Sequence, residues 1–175
     1  MNAGIKAIVF DVGGVIRDSS ETFSFVFKTV FREFGIEYPF STIDVWHMRG
    51  FREWNSRLDA LRALLCLSRS GKDLSEIIKK TDAEKQIASL IKRNTKPGDD
   101  EFIKKMSGRY VYWFYENQES RKYTKVMPYV RESVEALSKK YALAVLTDSR
   151  LSLTENGLKK SESKNISDIS RARSN

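Results

Sequence analysis

An α/β protein, with a short parallel sheet interrupted by a long all-helical insertion, is predicted by three features of the 175-residue chain. Two apolar runs, Ala7-Ile8-Val9-Phe10 and the stretch from Tyr141 to Leu146, are short and uninterrupted, as strands buried on both faces of a parallel sheet are. The 135 residues between Asp11 and Thr147 carry apolar side chains at helical spacing throughout. The first run also ends in an aspartate followed by a glycine pair, so Asp11 falls where a strand opens at its carboxyl end. Open α/β sheets bind ligands at that edge.

Taken in order, Gly13 and Gly14 let the backbone turn tightly and expose its amides, and Asp18-Ser19-Ser20-Glu21 reads as the N-terminal cap of a helix. Phe23, Val26, Phe27, Val30, Phe31 and Phe34 then recur along one helical face that stops at Gly35. Trp54, Leu58, Leu61 and Leu65 predict a second helical stripe. Leu74, Ile77 and Ile78 with Ile87, Leu90 and Ile91 predict a third. Phe102, Ile103, Met106, Tyr110, Trp113 and Phe114 predict a fourth, separated from the third by Lys96-Pro97-Gly98-Asp99. Pro128 suits the start of a last helix carrying Val130, Val134 and Leu137, after which the second strand run begins.

The segment from Ile5 to Ser20 resembles motif I of the haloacid dehalogenase-like (HAD) hydrolases, which is an apolar strand, Asp, a spacer, Gly, apolar residues and a second Asp seven places on. Asp11, Gly14, Val15, Ile16 and Asp18 stand in that register. The resemblance implies a HAD-like Rossmannoid parallel sheet, with Asp11 as a nucleophile that forms an aspartyl-phosphate, or an alkyl ester in dehalogenase members, for water to hydrolyse. It further implies Mg2+ held by Asp11 and the Gly13 carbonyl, and phosphate contacts from Gly14. One position departs: the acid–base Asp usually found two residues after the nucleophile is Gly13.

The region from Met127 to Arg150 is similar to the approach to motif II of the same family. By that resemblance the Thr147 hydroxyl and the Asp148 amide hold the transferring phosphate. An all-helical insert directly after motif I resembles the helical cap of the phosphatase and dehalogenase branches, expected here over residues 19–124, with the core in 1–18 and 125–150. Within this insert Arg49-Gly50-Phe51-Arg52 presents two guanidinium groups beside a glycine. Arg49 is the candidate for an anionic group of the substrate, against the plainer reading of a solvated basic turn. His47 has no acidic or cysteine partner nearby in sequence and reads as a packed or surface residue.

After Thr147 only 28 residues remain, and residues 151–175 hold no aromatic, valine or proline. They read as a polar tail, a weak helix or disorder. No lysine-centred motif III follows at the family's spacing, so the sheet is expected to be incomplete and the chain to be the first part of a HAD protein, stopping or shifting frame near Arg150. Such a piece is expected to be marginally stable and not to sustain turnover alone.

Composition narrows the rest. One cysteine, Cys66, on a leucine-rich stretch excludes a disulfide framework and reads as core, and one Cys with one His excludes a zinc site. The net charge is +8, of which residues 151–175 contribute +2, and the excess is spread along helices. Such a field steers small anions, whereas no recognition helix or zinc finger points to sequence-specific nucleic-acid binding. The apolar runs are far too short to span a membrane, and no signal-peptide pattern opens the chain. The expectation is a cytoplasmic, Mg2+-dependent phosphatase of small phosphorylated metabolites. Dehalogenase chemistry and a non-catalytic module binding phosphate or a partner are the alternatives. The oligomeric state stays open.

Overall fold

Parallel pairing of the two predicted strands organises one part of the molecule. In the computed structural model, which describes residues 4–146, β1 (Ala7–Asp11) lies beside the last strand, Ala142–Leu146, with Ala7 opposite Ala142 and Asp11 opposite Leu146. Residues 151–175 and the end of the predicted core segment lie outside the described residues. Contacts divide the chain into two units, one of Ser20–Tyr123 and one built from the described residues on either side of it.

In the sheet-bearing unit, β2 (Arg17–Asp18) pairs antiparallel with β3 (Lys125–Val126), and α7 (Val130–Ser138) precedes the final strand, β4. Alternate residues of β1 and β4 face α7. Phe10, Leu143 and Val145 pack with Val130 around the buried Val134. Among the described residues nothing covers the opposite face, which corrects the expectation of strands buried on both sides. Val9 is 60% exposed and Leu146 57%. Two further expectations shift. Asp18 belongs to β2, and the following helix begins at Ser20. Pro128 does not open α7, because Tyr129 stands between them with φ +61°, in the left-handed region that side chains rarely adopt.

The helical unit contains α1 (Ser20–Glu33), α2 (Thr42–Gly50), α3 (Arg57–Ser70), the short α4 (Leu74–Ile77), α5 (Ala83–Asn94) and α6 (Asp99–Val111). Helix α1 follows its predicted stripe: Val26, Phe27, Val30 and Phe31 are fully buried. It ends where Gly35 takes φ +67° and the Ile36 amide bonds back to the Phe31 carbonyl, a glycine stop of the kind the sequence suggested. Helix α3 departs from its predicted stripe. Ala60, Leu61, Ala63, Leu64, Leu65, Cys66 and Leu67 are all buried, while Leu58 is 45% exposed and Trp54 sits in a separate 3₁₀ turn, Arg52–Trp54. A helix apolar around most of its circumference is one that neighbours enclose, and α5, α6 and the 3₁₀ turn Arg52–Trp54 supply most of that enclosure.

The break at residues 96–99 is held by more than proline. Asp99, 4% exposed, takes a bidentate pair from Arg69 at 2.7 and 2.8 Å and the Lys96 amide at 2.7 Å. These charge-assisted bonds hold the Asp99 carboxyl below its usual range and tie the start of α6 to α3. Cys66 is buried, with its Sγ 3.7 Å from Thr95 Oγ1, and burial raises its pKa, consistent with a packing role. No helix among the described residues is long and apolar enough to cross a membrane.

Candidate active site

Asp11 ends β1 on its exposed face, and the turn that follows determines which groups surround it. The Val12 amide donates to Asp11 Oδ1 at 2.7 Å, which orients the carboxylate and leaves Oδ2 without a hydrogen-bond donor among the described residues. Val12 itself is buried, so the amide that orients Asp11 is anchored by its own side chain. The chain then reverses. The Ile16 and Arg17 amides both donate to the Val12 carbonyl, at 3.1 and 2.9 Å, and the Gly14 amide donates to the Arg17 carbonyl at 2.9 Å.

This arrangement reassigns the glycines. Gly14 has φ +75°, a conformation a side chain would strain, and its amide is committed within the turn. It therefore makes the bend of the turn, with its amide directed to the Arg17 carbonyl. The amides of Gly13 and Val15 take no acceptor among the described residues, and an added Cβ at Gly13 would meet nothing within 4 Å. Two amide donors without a described acceptor thus follow the Asp11 carboxylate within four residues. The sequence drew attention to the glycines but could not say which amide stays open, because that depends on backbone torsions and not on residue type.

The residues present fit Mg2+. Asp11 offers a solvent-exposed carboxylate, and the Gly13 carbonyl accepts no hydrogen bond from a described residue. Hard oxygen donors in small number suit an ion that keeps much of its water and takes further ligands from a phosphate. No cluster of three or more His, Cys, Asp or Glu side chains occurs among the described residues, so a larger protein-built metal cage is not present there. Thr147 and Asp148 lie outside the described residues. Strand β4 ends at Leu146, the residue before Thr147 in sequence, and Leu146 is the register partner of Asp11.

Arg49 belongs to the helical unit and is not the solvated turn residue the plainer reading favoured. It sits in the last turn of α2, donates from Nη2 to the Asn55 carbonyl at 2.9 Å, and lies with its guanidinium carbon 3.9 Å from the centre of the Phe23 ring. Arg52 is exposed, and so is His47. A cleft of about 520 Å³ between α4 and α5 is lined by Lys72, Asp73, Lys80 and Asp82 among others. None of the expected site residues lines it.

No protein-family model matches the sequence, and no curated protein matches it. Among solved structures the chain is similar to a haloacid dehalogenase-like family hydrolase from Streptococcus pneumoniae, with a TM-score of 0.55 and 19% sequence identity. The fold is haloacid dehalogenase-like. The match covers 94% of this chain but 58% of the neighbour's, so the chain spans little more than half the length of that protein. Within the HAD-like fold, β1 and β4 form the short parallel sheet, and the helical unit is an insertion between them.

Proposed function

We propose that this protein is a HAD-like hydrolase in which Asp11 attacks the phosphorus of a small phosphorylated metabolite. One observation carries the reading: an oriented, exposed carboxylate at the carboxyl end of a parallel strand, followed by a turn with open amides at Gly13 and Val15. The Val12 amide holds one Asp11 oxygen, so the other is the nucleophile. It forms a bond to phosphorus as the bond to the leaving oxygen breaks, and the leaving group takes a proton from solvent because Gly13 carries no acid. Water then attacks the aspartyl-phosphate, releasing phosphate and restoring the carboxylate.

The Gly13 and Val15 amides suit the phosphoryl oxygens, with the Thr147 hydroxyl and Asp148 amide as further donors in this proposal. When Mg2+ is bound, held by Asp11 and the Gly13 carbonyl, its charge offsets that of the phosphate. The direct test is covalent. Acetyl phosphate with Mg2+ is expected to label the chain at Asp11, read by borohydride reduction of the acyl phosphate and peptide mass, and Asp11→Asn is expected to abolish the label. An unlabelled wild-type chain, or equal labelling of Asp11→Asn, overturns the proposal.

A further inference from the structure

The cleft between α4 and α5 holds charges of both signs that do not meet. Lys72, Lys80, Lys85 and Arg93 line it. Three carboxylates, Asp73, Glu76 and Asp82, line it as well. None of the four cations forms an ion pair with a described carboxylate, although elsewhere in the helical unit Arg62, Arg69, Lys104, Arg109 and Lys122 pair with acids at 2.7–2.8 Å.

Neutral neighbours keep the opposite charges apart. Asp73 accepts the Ser75 amide at 2.8 Å as the cap of α4. Asp82 Oδ1 accepts from Gln86 Nε2 at 2.8 Å, and Gln86 Oε1 accepts from Lys80 Nζ at 3.3 Å, so a side-chain amide stands between that acid and that base. Arg93 donates from Nη2 to Ser89 Oγ at 2.7 Å and from Nε to the Ser89 carbonyl at 3.4 Å, which fixes the guanidinium along α5 and leaves Nη1 open among the described residues. Lys72 and Lys85 are exposed, and their ammonium groups donate to no described residue.

Spacing and shape select a ligand. Lys85 and Arg93 are rooted about 12 Å apart along α5, and Lys72 and Lys80 flank α4 on either side in the chain. Cations rooted at separate points suit separated anionic groups. The carboxylates among them disfavour a ligand charged throughout its length. Ile77 and Leu90 add apolar surface, and the volume of about 520 Å³ is that of a small-molecule site.

We propose that this cleft binds a small organic molecule carrying two separated phosphate groups on a carbon skeleton. The lysines and Arg93 meet the anionic ends with charge-assisted hydrogen bonds, and the skeleton covers Ile77 and Leu90. The site lies wholly within the helical unit and does not depend on hydrolysis at Asp11.

Hexane-1,6-bisphosphonate, which cannot be hydrolysed, is the probe, titrated calorimetrically into the full 175-residue chain. Saturable binding is expected, about tenfold or more tighter than that of hexylphosphonate, which has one anionic end. Lys85→Gln and Arg93→Gln are each expected to weaken it about fivefold, the upper range for an exposed charge pair. Lys92→Gln, which removes an exposed charge next to Arg93 but outside the cleft lining, and Asp11→Asn are expected to bind as the wild type does. No saturable binding to the wild-type chain overturns the site whether or not a variant folds. An equal loss in Lys92→Gln overturns it in favour of a diffuse positive field, and hexylphosphonate binding as tightly as the bisphosphonate overturns the two-anion assignment. Binding lost in Asp11→Asn but kept in both cleft variants places the ligand at the strand end, overturning this site while leaving the hydrolase reading intact.

Discussion

At the scale of single residues, Gly13 has the most direct chemical consequence. It leaves the candidate site without the carboxylic acid that would protonate a departing alkoxide, while the open space around it gives a phosphate room. Any turnover is therefore expected to favour acyl and aryl phosphates, whose leaving groups need little protonation, over sugar phosphates by about 100-fold to 10,000-fold in kcat. Comparing acetyl phosphate, p-nitrophenyl phosphate and glucose 6-phosphate reads this directly. Equal rates would mean that another group delivers the proton. Tyr129 is a second residue with a measurable effect, since its side chain is 80% exposed yet its φ is +61°. Few contacts are lost on removing it, whereas the left-handed conformation suits glycine, so Tyr129→Gly is expected to stabilise the chain by about 1 kcal/mol in urea denaturation. A destabilised variant would show that the ring contributes packing despite its exposure.

At the scale of elements, the junction between α3 and α6 depends on Asp99. Asp99→Asn is expected to cost about 2–3 kcal/mol by removing a charge-assisted bidentate pair with Arg69. The pH dependence follows from the direction of the shift. The Asp99 carboxyl titrates lower in the folded chain than in the unfolded chain, where it is near 3.9, so its contribution is complete above about pH 5. It is lost as pH falls through the folded value, below about pH 4. Urea melts at pH 7, 5 and 3 are expected to show the gap between wild type and Asp99→Asn closing only at the lowest pH. A gap unchanged at pH 3 would assign the loss to packing.

At the scale of the whole molecule, the uncovered face of the β1–β4 sheet stands out. Val9 and Leu146 project on the side away from α7, and parallel strands ordinarily have both faces covered. A face of this kind promotes association between copies. Sedimentation velocity is expected to show concentration-dependent association of the chain that Val9→Thr with Leu146→Thr reduces, along with its binding of a hydrophobic dye. If the double variant associates as strongly as the wild type, another surface is responsible. The net charge of +8 opposes association, so raising the salt concentration is expected to strengthen it.

The sequence by itself determined the parts whose signals are local. The β1 run, the α1 stripe with its stop at Gly35, the break at Lys96-Pro97-Gly98-Asp99, and the position of Asp11 at a strand end all follow from side-chain periodicity and from residues with restricted or permissive torsions. These properties belong to a few consecutive residues. Only the tertiary structure decided the rest. Leu58 turns outward while α3 is enclosed around most of its girth, β2 finds β3 more than 100 residues away, and the sheet keeps one face open. Arg49 lies over Phe23 with its Nε–H unpaired, and the open amides fall at Gly13 and Val15 instead of Gly14. In each case the outcome depends on which distant atoms come to lie nearby or on how a backbone dipole is aimed. Neither quantity is carried by the identity of the residue.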